Sequence, residues 1–334
     1  MNTIASRSTF AGITLSVLSL AAAAQSSVTI SGAINVDVAR GNGGTSPIYG
    51  SGGAKMWTVN DIVSHLNIAG KEDLGDGLYA GFNLQHFFLA DTGAAANQSA
   101  NTFWDGQSYV KLGGRLGEIY AGREYSPVFY TAVLSDPWYW DTSLGQIGYL
   151  QFANYFNTGG VRTNNTVGYK SPSLGGVTAR LAVSAGEGAT TGRDVGGNVD
   201  YSKDKLWLSA AADQHKNVNG VDTDRLVTVA GAYDFGVVRP LALYSQSRVA
   251  GVTYSAYSFA VTVPTSGLGS VRAAVSHVSD WNTATPAKDG LTKASLGYLY
   301  YLSKRTNIYT TVASAKGDGA TRTTAFDVGL SHNF

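Results

Sequence analysis

Apolar and polar residues alternate along most of this chain. Val28, Ile30, Ile34, Val36 and Val38 interleave with Thr29, Ser31, Asn35 and Asp37. Leu78, Phe82 and Leu84 interleave with Tyr79, Asn83 and Gln85, and Val177, Ala179, Leu181 and Val183 with Thr178, Arg180 and Ser184. A two-residue period marks strands rather than helices. A strand with one apolar and one polar face has to meet two different media. The chain therefore belongs to the all-β class.

Turn chemistry recurs as regularly as the alternation. Short turns lie at Asp73–Gly77, Gly114–Gly117, Ser171–Gly176, Ser202–Lys205, Asp234–Gly236, Pro264–Gly269 and Ser303–Arg305, all rich in the residue types that tight turns need. Longer connections alternate with them. Seven short turns and eight long loops join sixteen strands, expected to begin at Val28, Met56, Leu78, Trp104, Glu118, Thr163, Val177 and Asp194. The second half is expected to begin its strands at Lys205, Asp224, Val237, Thr253, Ser270, Leu291, Thr306 and Arg322. About 19 residues per strand and connection suits an outer-membrane barrel, whose strands need roughly ten residues to cross. Closure into a barrel satisfies every backbone group without an edge, as a bilayer requires.

The ends of the chain agree with export. One cation, Arg7, precedes an apolar run from Phe10 to Ala21 and the small residues Ala22, Ala23 and Ala24, the layout of a cleaved secretory signal over residues 1–24. The remaining 25–334 read as one domain. With 24 basic and 23 acidic residues in the whole chain, no basic domain points to a nucleic-acid partner. There is no cysteine, so backbone pairing and burial carry the stability. At the other end, Phe326, Val328, Leu330 and Phe334 share one face of a strand, which places Phe334 at a membrane interface on the closing strand.

One connection breaks the rhythm. Residues 127–161 run without clean alternation and hold nine aromatics, Trp138, Tyr139 and Trp140 among them. Structureless loops this long are usually functional, and so aromatic a segment is expected to pack inside something. Either the aromatics pin the loop to a wall, or they form a stacking surface for a sugar ring or aromatic acid.

Strand parity assigns faces to the charged residues. Arg162, Lys170, Arg180, Lys111 and His65 are expected to face a wet lumen, opposite the outward Val167, Tyr169, Val110, Leu112, Leu66 and Ile68. Arg162 is the leading constriction residue, since the chain leaves the long loop there. Asp136 and Asp141 are the only acids on that loop. Acids and cations opposed across a narrow pore create a field that orients polar solutes. Arg123 shares parity with the outward Ile119 and Ala121. A charge on a lipid face costs about 2–4 kcal/mol at mid-membrane, which a partner acid at a trimer interface would remove, unless a bulge turns Arg123 inward. The five histidines show no metal-ligand spacing, and no catalytic motif is present; neither catalysis nor a cofactor is expected.

"SSVTISGAINVDV", "SHLNIAGKEDLGDGLYAGFNLQ", "QSYVKLGGRLGEIYAGREYSP", "RTNNTVGYKSPSLGGV" and "VGLSHNF" follow one another in the order and spacing of a known family. The chain resembles the Gram-negative general porins, most closely the trimeric group typical of β-proteobacteria, over essentially its whole mature length. The resemblance implies a 16-stranded antiparallel transmembrane β-barrel, a homotrimer in outer-membrane lipid, with the third loop folded into the lumen. It also implies an assembly signal ending in Phe334, although His332 stands where an aromatic is common. Such porins often carry a ladder of pore arginines. Here His65 and Gly106 stand at two of those rungs and Arg162 keeps the third, so a less cationic constriction is expected. The function implied is passive diffusion of small hydrophilic solutes and ions. The alternatives are a substrate-preferring channel using the aromatic loop and, outside transport, a secreted β-rich adhesion or binding protein.

Overall fold

Alternating sequence becomes alternating exposure. The computed structural model describes residues 26–48, 53–61, 63–96, 102–157, 160–187, 193–216, 223–265, 267–279 and 290–334. The signal segment 1–24 lies outside them. Its strands are β1 (Ser27–Gly41), β2 (Trp57–Asp61), β3 (His65–Gly75), β4 (Leu78–Phe87), β5 (Ser108–Gly114) and β6 (Gly117–Tyr125). Two helices follow, α1 (Pro127–Leu134) and α2 (Gly148–Asn157). Then come β7 (Arg162–Lys170), β8 (Val177–Ser184), β9 (Asp194–Lys203), β10 (Leu206–Lys216), β11 (Thr223–Tyr233) and β12 (Arg239–Val249). The series ends with β13 (Val252–Pro264), β14 (Gly269–Val278), β15 (Leu291–Tyr301), β16 (Thr306–Gly317) and β17 (Thr323–Asn333).

From β3 onward each strand pairs antiparallel with the next, and β1 closes the sheet on β17, from Ala33 opposite Asn333 to Gly41 opposite Ala325. Both β2 and β3 lie along β1. They are two parts of one crossing, so the barrel has sixteen spans. The expected single strand from Met56 is broken because its register on β1 slips by one residue: Val36 faces Asp61, but Ala33 faces His65. Val63 takes φ 55° within the slip. The strand expected from Trp104 begins at Ser108, because Asp105 turns its carboxylate to the Phe87 N–H at 2.8 Å.

The outward residues are apolar all round the barrel. Val28, Val110, Leu181, Phe259, Leu296 and Val328 all stand exposed. A belt this continuous far exceeds the apolar patches that soluble monomers show, and it is the face a lipid-embedded barrel presents. At the seam, the backbones of Gly32 and Phe334 exchange two hydrogen bonds, at 3.2 and 3.0 Å. A side chain at position 32 would run into the Phe334 ring, so the glycine makes room for the terminal aromatic.

Candidate functional site: the loop-narrowed lumen

The chain enters the lumen where β6 ends. Register slips between β6 and β7, with Gly122 opposite Thr166 but Glu124 opposite Thr163, and Asn165 takes φ 54°. Ser126 then starts α1, with Pro127 in the first turn, where a missing N–H costs nothing. The sequence pattern gave no hint of α1 or α2. Their formation follows the lumen wall, since Val128, Ala132, Leu150, Phe152 and Tyr155 pack into one apolar cluster with Ala211, Leu226, Ala230, Leu243 and Tyr254 of the barrel.

Between the helices the loop is pinned by polar bonds. Asp136, 1% exposed, accepts the N–H groups of Trp138, Ile147 and Gly148 at 2.8, 2.7 and 2.8 Å. Burial pushes its carboxyl above the usual range, while these three donors pull it back. Trp138, 2% exposed, packs on Ala232, Leu241, Ala260 and Ala274. Further on, Lys293 donates to the Gln146 carbonyl at 2.6 Å and Ser295 to that of Leu144 at 3.1 Å. Asn35 donates to the Asp141 carbonyl at 2.6 Å, Ser143 donates to Asp37, and the Leu144 N–H reaches Asp327 at 3.3 Å.

Facing the loop is a polar wall. Arg162 donates from Nη2 to the Tyr125 hydroxyl at 3.0 Å, and its guanidinium lies 4.8 Å from the Phe87 ring and 4.6 Å from the Tyr125 ring. Arg180 pairs with Asp200 at 2.8 Å and lies 4.4 Å from the ring of Tyr130 on α1. Lys111 pairs with Glu118 at 2.9 Å, which also accepts from the Tyr79 hydroxyl at 2.8 Å. Lys170 stands between Glu118 and Arg180 in the strand register. His65 lines a cavity of about 150 Å³ together with Tyr139, Asp141, Arg272, Tyr301 and Asn333.

Parity reasoning thus brings His65, Lys111, Arg162, Lys170 and Arg180 onto the inner face. Three loop residues sit otherwise than expected. Asp136 is spent holding the loop, and so is Trp138, which reaches the lumen only by bordering the small cavity that His65 lines. Trp140 is partly buried against Phe129 and Phe156, with ring centroids at 5.1 and 5.8 Å. Of the "WYW" triplet, Tyr139 keeps open contact with the lumen at 42% exposure. Arg123 finds hydrogen-bond partners within its own chain. Its guanidinium donates to the Asp105 carbonyl at 3.1 and 2.8 Å and to Asn164 Oδ1 at 2.6 Å, so its own chain meets the demand that suggested a trimer contact. Sequence reasoning missed Arg272, whose inward parity with Ala274 and Ser276 was available on β14.

The profile of the Gram-negative porin family matches residues 11–320. The outer membrane porin protein 32 of Delftia acidovorans is 30% identical over 328 residues, covering 92% of this chain and 90% of that protein. An outer membrane porin protein of Bordetella pertussis is 26% identical, with 94% and 96% covered. Among solved structures, an anion-selective porin from Comamonas acidovorans superposes with a TM-score of 0.80 at 26% identity, covering 93% of this chain and all of that one. The trimer form of OmpT from Vibrio cholerae shares the fold, with a TM-score of 0.70 at 14% identity and 92% and 99% covered.

Proposed function

The chain belongs to the Gram-negative porin family and is an outer-membrane channel protein, and from that premise we propose a passive pore for small hydrophilic solutes with a mild preference for anions. Arg162 carries this reading. Among the described residues no carboxylate lies within ion-pair distance of its guanidinium, so its charge is free to act on solutes in the narrowed lumen. The structurally similar Comamonas porin is anion-selective. A weaker preference is expected here, because Lys111 and Arg180 are each neutralised by a neighbouring acid, while Asp141 on the loop side, its carboxyl pushed up to about 7 by burial, adds only part of a negative charge. Reversal potential under a potassium chloride gradient tests the reading. Mild anion preference that falls in Arg162→Ala supports it; cation preference in the wild type, or no change in the variant, overturns it.

The same reading takes residues 1–24 as an export signal removed after Ala24, Phe334 as part of an assembly signal, and three copies as the working unit. The trimer form of the OmpT structure supports that stoichiometry. Catalysis has no part in it. Intact mass of the outer-membrane protein locates the cleavage, and native electrophoresis gives the copy number. A mass that retains residues 1–24, or a monomer stable in mild detergent, would remove the corresponding element.

A further inference from the structure

A second set of polar side chains lies apart from the channel, where the loop returns to the wall beyond α2. Asp194 on β9, His215 on β10 and Asp224 on β11 form one row, each opposite the next in the register. Asp213 sits two residues from His215 on the same face, opposite Gly196. A Cβ at that glycine would lie 2.0 Å from Asp213 Oδ2, so the bare backbone is what admits the carboxylate. None of the four is more than 5% exposed. The ligand atoms of Asp194, Asp213 and His215 lie within 4.8 Å of one another, and His215 Nε2 is 3.6 Å from Asp224 Oδ2. Tyr155 of α2 donates its hydroxyl to Asp213, and its ring centroid is 4.5 Å from that of His215.

The charge in this cluster is out of balance. The Asp194 and Asp213 carboxylates face each other. Among the described residues, no donor reaches Asp194 Oδ2 or Asp224 Oδ2, and no lysine or arginine forms an ion pair with any of the three acids. Buried anions are tolerated when paired or when they coordinate a metal. Imidazole nitrogen with carboxylate oxygen is a donor set suited to zinc. Tyr155 on Asp213, and Asp224 beside His215, occupy the places of the outer hydrogen-bond partners that orient metal ligands.

We propose that Asp194, Asp213 and His215 form a binding site for a zinc-type divalent cation, oriented by Tyr155 and Asp224, which clamps the returning loop to the barrel wall. Calorimetric titration of Zn²⁺ into the chelator-washed full chain in detergent tests it. One saturable ion per chain is expected. Asp213→Asn removes it, while heat-modifiable gel mobility shows that the barrel is still folded. Tyr155→Phe, which keeps every ligand, weakens zinc affinity by about 10–100-fold and carries the test should Asp213→Asn fail to fold. Absence of saturable zinc binding overturns the site, as does unchanged affinity in a folded Asp213→Asn or in Tyr155→Phe. In either case the two facing acids are left to share a proton.

Discussion

Along β11 the inward residues include Asp224, Leu226, Thr228, Ala230 and Ala232; along β4 they include Tyr79, Asn83, Gln85 and Phe87. Both strands alternate, both belong to one barrel, and both turn apolar side chains to the lipid. Their inner faces nevertheless meet different things. The loop covers β11, where Leu226 joins the cluster around Phe152 and Tyr155. Among the described residues, α1 and α2 pack on β8 to β14 and not on β4; there Asn83 donates to Gln107 at 2.5 Å and the Tyr125 hydroxyl donates to Gln85 at 2.9 Å. The alternation in a strand therefore reports the medium outside the barrel. What the inside requires depends on whether the loop lies against it, and that is written mid-chain rather than in the strand.

This contrast makes loop-side and channel-side substitutions differ in kind. Trp138→Ala has the largest expected effect. Emptying that buried site costs about 3–5 kcal/mol, and the loop loosens, seen as a lower melting temperature of the barrel and larger, noisier single-channel currents. Asp136→Asn comes next. It replaces one acceptor oxygen with a donor, leaves a buried N–H of the loop unmet at about 1–3 kcal/mol, and broadens the conductance distribution. Lys111→Met, on the channel side, has the smallest effect on stability. A partly exposed ion pair contributes only about 0–1 kcal/mol, so melting barely moves, yet the uncovered Glu118 shifts the reversal potential towards cations. Equal destabilisation by Trp138→Ala and Lys111→Met would erase the distinction between the two walls.

Much of the barrel was legible because the sequence writes it locally. Asp76 and Asp204 stand at positive φ, at 51° and 54°, in short turns whose composition had marked them, and parity puts Lys111 and Arg180 on the face where they pair with Glu118 and Asp200. The site was harder to read. Asp136 and Asp141 are five residues apart and equally acidic, but one folds back on the loop's own backbone and the other borders the lumen. Trp138 and Tyr139 are adjacent, and only the wall decides which is buried. Arg123 kept its outward parity, and the partners that satisfied it came from residues 105 and 164, beyond the reach of any local pattern. The helices of the loop were invisible for the same reason, since the apolar partners that fold them lie on distant strands.

The loop also lies across the seam of the barrel. Ser143 reaches Asp37 on the first strand, 106 residues away, and Leu144 reaches Asp327 on the last, 183 residues away. The first and last strands are thus held by adjacent residues from the middle of the chain. The entropic cost of bringing chain ends together grows with the length between them, and a seated loop divides that long closure into two shorter ones. The segment that narrows the pore also serves as an internal mandrel on which the cylinder shuts.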